Sequence, residues 1–279
     1  MFLYEQLRDK ARGNREGSRH MALEFRSVTK SFGGRDGGGG LTALKDITFT
    51  ADEGEFVAVV GPSGCGKSTM LNMTAGLYQP TTGEVFVSGE KVTRPNSHVG
   101  FMLQKDLLLP WRTIEKNVAF GLESRGYSRK QCREIALARL EECHLPGFGD
   151  YYPYQLSGGM RQRAALARTL AIDPDVILLD EPFSALDAQT KIVIQRNFGE
   201  TIWKERKTTL LITHDLAEAT YMADRILVLS ERPGTIVEEI RVDLPDRGNP
   251  TARRQHPRVS EYINRMFEIL KLNDKEELA

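Results

Sequence analysis

Two stretches of this 279-residue chain hold residue types suited to handling phosphate. The first, Gly61-Pro62-Ser63-Gly64-Cys65-Gly66-Lys67-Ser68-Thr69, fits the G-x-x-x-x-G-K-[ST] phosphate loop, with an apolar run before it and helical character after it. Glycines let successive backbone N–H groups turn inward onto phosphate oxygens, and the positive end of a following helix dipole adds to that field. Lys67 then reaches the β- and γ-phosphates, and the Ser68 hydroxyl is a ligand for Mg²⁺. Cys65 lies inside the loop, where a helix terminus can depress a thiol pKa, although a spacer is the simpler reading. The second stretch is Val176-Ile177-Leu178-Leu179-Asp180-Glu181, an apolar run ending in two carboxylates. Asp180 is placed to hold Mg²⁺, directly or through water, and Glu181 to polarise an attacking water. Alone, two adjacent acids could equally be solvated loop residues. Downstream of a phosphate loop they imply nucleotide hydrolysis.

These groups need strands and helices to hold them. Leu23 to Val28 and Leu41 to Thr50 alternate as strands, separated by a glycine-rich loop from Gly33 to Gly40. Glu55 to Val60 reads as a buried strand running into the phosphate loop, and Lys67 to Gly76 as the helix after it. Gly83 to Gly89 and His98 to Leu103 are further strands. Ser128 with Gln131 three residues on is a capping box, opening a helix to about His144, and Ile114 to Leu122 forms another short helix. From Val176 onward strands at 176–179, 208–213 and 225–229 alternate with helices at 190–205 and 216–223. That alternation implies a parallel sheet covered on both faces.

Composition narrows the function. Lys plus Arg and Asp plus Glu are 38 each, so the formal net charge is zero and no global electrostatic case exists for a nucleic-acid partner. Hydrophobic residues at 40% against 27% charged match a globular protein. The longest apolar runs fall well short of the ~20 residues that span a bilayer, so a membrane-crossing chain is not expected. Met1 to His20 mixes acids with five Lys or Arg residues and has no apolar h-region, so no secretory signal is read there. Cys65, Cys132 and Cys143 lack paired spacing, which argues against disulfides or a zinc site; Cys132 and Cys143 share a helical stripe with Ile135, Ala136 and Leu140 and read as core.

A third stretch, Leu156-Ser157-Gly158-Gly159-Met160-Arg161-Gln162-Arg163-Ala164, resembles the signature of the ATP-binding cassette (ABC) ATPases. Ser157, Gly158 and Gly159 ahead of a helix offer a hydroxyl, bare N–H groups and a dipole, a second anion site. Other family landmarks follow the expected order: Gln104 before Lys105-Asp106, Ser184-Ala185-Leu186-Asp187 after the acids, and His214 at a strand end. The resemblance covers roughly residues 23 to 240. It implies an α/β phosphate-loop NTPase cassette with a RecA-like parallel-sheet core, an N-terminal antiparallel β subdomain and a helical subdomain at about 105–165. The cassette would span 21–245, with 1–20 a polar extension and 246–279 a helical tail. In the family the second anion site serves the nucleotide of the opposite subunit, so two chains sandwich two ATP molecules head to tail. The resemblance further gives Gln104 the sensing of Mg²⁺ and nucleophilic water, His214 a contact to the γ-phosphate, and Phe32 the aromatic place that stacks on adenine, without the hydroxyl of the more usual Tyr. Met160 stands where the signature commonly has Gln.

Residues 103–118, with Leu107-Leu108-Leu109-Pro110-Trp111-Arg112-Thr113 inside, look like the nitrate, sulfonate and taurine importer subfamily. So do Arg232-Pro233-Gly234-Thr235-Ile236-Val237-Glu238-Glu239 and Val242-Asp243-Leu244-Pro245 in a C-terminal hairpin. Importers of a thiamine-precursor pyrimidine carry a similar pattern. Some 34 residues follow Pro245, fewer than the regulatory domain of sugar-importer ATPases would need. The expectation is an ATP- and Mg²⁺-dependent import motor, peripheral on the cytoplasmic face of the plasma membrane. It would pair with a second copy of itself, dock on integral membrane permease subunits near Trp111, and receive solute indirectly from a binding protein. The competing class, a soluble ABC ATPase acting on DNA, ribosomes or iron–sulfur scaffolds, usually carries two cassettes or long coiled-coil insertions.

Overall fold

The computed structural model describes residues 21–33, 40–184 and 186–276. The expected N-terminal extension, residues 1–20, and most of the expected glycine loop, residues 34–39, lie outside the described residues.

Two sheets form from period-2 apolar patterns. In the first, β1 (Met21–Phe32) lies between β2 (Leu41–Asp52) and β4 (Thr82–Val87), with the two-residue β5 (Glu90–Lys91) on the edge, all antiparallel. The second has the order β10 (Ile236–Arg241), β9 (Arg225–Leu229), β3 (Phe56–Val60), β8 (Thr208–Ile212), β7 (Val176–Asp180), β6 (Val99–Met102). From β9 to β6 every pair is parallel, and β10 closes one edge antiparallel to β9.

Alternation along the central strands divides the core. Val57 and Val59 of β3, Val176 and Leu178 of β7, Leu210 and Ile212 of β8 face one cluster, which they share with Phe25, Ile47 and Phe49 of the antiparallel sheet and Met70 and Leu71 of α1 (Lys67–Thr74). Phe56, Ala58 and Val60, Ile177 and Leu179, and Leu211 face the other cluster, filled from the helical side. Both faces are covered, as expected, but one of them chiefly by a sheet with a single helix between.

The helical side begins with the expected 114–122 helix, here divided at Ala119 into α2 (Ile114–Val118) and α3 (Phe120–Glu123). The buried Asn117 ties α2 down by bonding the carbonyls of Leu109, Arg112 and Thr113. Next, α4 (Arg129–Glu142) starts with both halves of the Ser128–Gln131 capping box in place. Cys132 and Cys143 are core residues beside Ile135, Ala136 and Leu140, and burial pushes the Cys143 thiol up to about 12. The helix that follows, α5 (Gly158–Ala171), runs past the expected limit near residue 165. At its far end Gly100 of β6 lets the strand press on it, since a Cβ there would stand 2.8 Å from Thr169 Cγ2.

Arg139 bolts α4 to the sheet. Fully buried, it pairs with Glu142 at 2.7 Å and with Glu205 at 2.9 Å, the latter near the end of α6 (Ala188–Glu205) and itself buried. Asp173 lies 3.8 Å away and also holds Lys207 at 2.5 Å. After α7 (Leu216–Met222) and the β9–β10 hairpin, α8 (Pro250–Arg254) and α9 (Val259–Glu276) make the helical tail. The buried Arg253 donates to the carbonyls of Ala223, Leu244 and Pro245, and Val259, Tyr262 and Met266 enter the helical-side core. Among the described residues no helix is long and apolar enough to cross a membrane.

Candidate functional site

Four neighbouring parallel strands end level with one another. Val59 pairs with Ile212, Ile212 with Asp180, and Leu179 with Met102. The next residues along each strand therefore emerge on one edge of the sheet: the phosphate loop after β3, His214 after β8, Asp180-Glu181 at β7, and Gln104 after β6. Chain positions up to 153 apart in sequence thus meet because the strands are parallel and in register.

The phosphate loop ends in Gly66, left-handed at φ 107°, which opens α1 with no side-chain cap. Ser128, Ser157, Asp187 and Asp215 cap α4, α5, α6 and α7 with side-chain oxygens. At α1 the first N–H groups are instead left for a ligand, as an anion at a helix start requires. A side chain at Gly66 would also collide with Leu44, 2.6 Å from where a Cβ would stand. Lys67 crosses the loop and donates to Gly61 O at 2.7 Å and Pro62 O at 2.8 Å, and its third proton meets only the weak acceptor Cys65 Sγ at 3.9 Å, a partner that a phosphate oxygen can displace. Cys65 is buried, and burial raises its thiol pKa against the pull of Lys67, so the spacer reading fits and the depressed-thiol reading does not.

Ser68 Oγ lies 3.4 Å from Asp180 Oδ1. Burial raises the Asp180 carboxyl above its ordinary range, and the neighbouring Glu181 charge raises it further. A cation here would relieve both effects, and a hydroxyl with a carboxylate is the hard-oxygen donor set that suits Mg²⁺. Glu181 sits at φ 46°, a left-handed turn unusual for a non-glycine residue, with its N–H on Ile212 O at 2.9 Å. The turn sends its carboxylate to His214 Nδ1 at 3.2 Å and Gln104 Nε2 at 3.5 Å, both on Oε2. Oε1 has no protein partner among the described residues.

The motif alone gives Ser184 no role, and the structure supplies one. Its hydroxyl accepts from Gln104 at 3.1 Å and donates to Glu181 O at 3.0 Å, linking these two residues. Three residues of α5 grip the loop after Gln104: Arg161 pairs with Asp106 at 3.0 Å, Arg168 donates to Leu107 O and Asp106 O, and Gln162 to Gln104 O at 3.4 Å. A signal for this grip existed in the spacing, because Arg161 and Arg168 stand seven apart on one helix face.

Ser157 and Gly158 are exposed at the start of α5. The Ser157 hydroxyl accepts from Met160 N at 3.3 Å and keeps its own proton to donate. Gly159 is buried on α6, where a Cβ would come 2.6 Å from Thr190 Cγ2. Phe32 ends β1, meets Tyr78 edge to face at 5.5 Å, and has Lys30 Nζ 5.0 Å from its ring centre. Among the described residues no hydrogen bond joins Phe32 or residues 157–159 to the phosphate loop or to the two acids.

The family model described as ABC transporter matches residues 44–184, just over half of the chain. This chain belongs to the ABC transporter family. An uncharacterized ABC transporter ATP-binding protein of Methanocaldococcus jannaschii is 44% identical over 253 residues, covering 89% of this chain and 91% of that protein. The nitrate import ATP-binding protein NrtD of Synechocystis is 41% identical over 92% of this chain and 98% of its own length. The taurine import ATP-binding protein TauB of Yersinia pestis is 43% identical over 83% and 91%. Among solved structures, the dimeric cassette MJ0796 in a post-hydrolysis state with ADP and Pi superposes with a TM-score of 0.69 at 33% identity, over 80% of this chain and 99% of that one. The ABC chain described here is accordingly an ATP-binding, ATP-hydrolysing transporter subunit.

Proposed function

We propose that this ABC subunit drives uptake of a small oxyanion or sulfonate, of the nitrate or taurine kind, through separate membrane permease subunits. The observation that carries its catalytic half is the level ending of β3, β8, β7 and β6, which gathers a phosphate cradle, a cation-binding pair and a base on one edge. Lys67 and the uncapped start of α1 hold the triphosphate. Ser68 and Asp180 would hold Mg²⁺, with Gln104, which reaches Glu181 Oε2, as a further candidate ligand, and the ion would neutralise phosphate charge. Glu181 accepts a proton from water on Oε1 while His214 and Gln104 fix Oε2, so its carboxylate has one orientation toward the reacting edge. Phe32 offers a π face for adenine. Ser157 and Gly158, exposed and away from their own phosphate loop's hydrogen bonds, would complete the site of a second copy; the dimeric, ADP-bound state of the related cassette supports that reading.

The phosphate-loop assignment is tested by Lys67→Ala. Loss of a charge-assisted hydrogen bond should weaken ATP binding by about 1.5 to 3 kcal/mol and abolish turnover. Titration calorimetry with Mg-ATP reads the first effect, and wild-type affinity would remove Lys67 from the site.

Transport needs a membrane partner, and the loop after Gln104 presents one surface for it. Leu103, Leu107, Trp111 and Phe120 are all exposed in that loop and the helices after it, Trp111 at 73%, and α5 holds Gln104 and Leu107 by their carbonyls. Exposed apolar side chains gathered on one surface would mark a contact, and Trp111 is the most exposed of these four. Trp111→Asp should cut co-purification with the permease subunits severalfold while leaving ATP affinity within twofold of wild type. Unchanged complex yield would place the docking surface elsewhere.

A further inference from the structure

The turn from Ser230 to Thr235, between β9 and β10, has no part in the chemistry above, yet it is built against the phosphate loop. Ser230 Oγ accepts from Thr235 N at 2.9 Å, and Ser230 N donates to Thr235 O at 2.9 Å, which closes the turn on itself. Strand β2 holds it from outside: Gly234 N donates to Ala43 O, and Lys45 N to Gly234 O, both at 2.9 Å. From inside, Gly234 lies so near the loop that a Cβ there would overlap Cys65 O. Arg232 extends from this turn and donates from Nε to Gly64 O at 3.0 Å. Its guanidinium covers Gly64, with a terminal nitrogen 2.8 Å from where a Cβ would stand.

We infer that Arg232 is a positioning residue of the nucleotide site, acting through the Gly64–Cys65 peptide. The inference rests on reading residues 61–69 as the phosphate site. A trans peptide is planar, so its C=O and N–H point in opposite directions. With Gly64 O turned out to Arg232, Cys65 N–H is turned into the loop, where Pro62 O accepts it at a long 3.4 Å. A phosphate oxygen can replace that weak partner. Gly64, at φ 78°, has the backbone freedom of glycine and will not hold one peptide orientation by itself. A charge-assisted bond from a guanidinium anchored in a closed turn supplies the constraint. It also places a second cation at the rim of a loop that receives a triphosphate, beside Lys67.

The full-length chain tests this with Arg232→Met and Arg232→Lys, using Lys67→Ala as the reference lesion. Mg-ATP affinity is read by titration calorimetry, turnover by steady-state kinetics, and the nucleotide-free fold by thermal melting. Arg232→Met should raise the ATP Kd and KM about tenfold, with the change in KM rather than kcat and with the nucleotide-free melting temperature unmoved. Arg232→Lys, which keeps a charge without the planar fork, should recover part of the loss. Wild-type affinity in Arg232→Met overturns the inference. So does an affinity loss matched by a lower nucleotide-free melting temperature, because Arg232 would then only hold its turn. Wild-type ATP affinity in Lys67→Ala would instead bring down the phosphate-loop reading, and this inference with it.

Discussion

Glu181→Gln will slow single-turnover hydrolysis by roughly 100- to 10,000-fold, the range for losing a positioned general base, and will leave ATP bound. The amide keeps the size of the carboxylate, and one of its two atoms remains an acceptor. It loses the negative charge and the basicity that draw a proton from water. His214 at 3.2 Å and Gln104 at 3.5 Å occupy Oε2, so the substitution also swaps a charged acceptor for a neutral one between two donors. Asp180 next door gains: with the Glu181 charge gone, one cause of its raised pKa disappears and its ionised form is favoured. The expected pattern is therefore slow chemistry with undiminished nucleotide binding, and an ATP-bound dimer that accumulates in sedimentation with Mg-ATP. Hydrolysis at the wild-type rate would take the base role from Glu181.

Arg139→Ala is expected to lower the unfolding free energy by about 3 to 5 kcal/mol, the range for removing one partner of a buried ion pair. Three carboxylates surround this guanidinium, and one of them, Glu205, is itself buried. The deletion takes the cation away and leaves acid in the core, with a cavity added. Arg139→Leu combined with Glu205→Leu removes both charges and should recover much of the loss, since apolar replacements of a buried pair are often neutral or better. Urea unfolding followed by circular dichroism separates the cases. A single variant within 1 kcal/mol of wild type would show that the bolt carries no load.

Much of this architecture was visible in the chain because its elements announce themselves locally. Val57 to Val60 and Val176 to Leu179 are apolar runs too short for helices, and Ser128 with Gln131 marks a helix start without help from tertiary contacts. The phosphate loop needed only nine consecutive residues. What stayed hidden depends on pairing across distance. Ser184 and Gln104 are 80 positions apart and meet through the registers of β6 and β7, which no local pattern specifies. Arg253 lies in the expected helical tail with no local sign of burial, yet it is buried on three carbonyls that a tail folding back brings together. Arg232 was legible as part of a hairpin motif, but its target lies 168 residues upstream. The two-residue β5 is too short to leave any periodicity.

The close approach of Gly100 to Thr169 gives α5 the geometry of a lever. One end presses, alongside Pro174, on Gly100 of β6, while the other carries Ser157 into solvent. Fourteen residues make an arm of about 21 Å at 1.5 Å per residue. A tilt of about 10° at the packed end would sweep Ser157 through roughly 3 to 4 Å over that arm, about the length of one hydrogen bond. Arg161, Gln162 and Arg168 are spaced along the same arm and hold the loop after Gln104. The loop beside Trp111 would travel with the arm, each point by an amount set by its distance from the fulcrum.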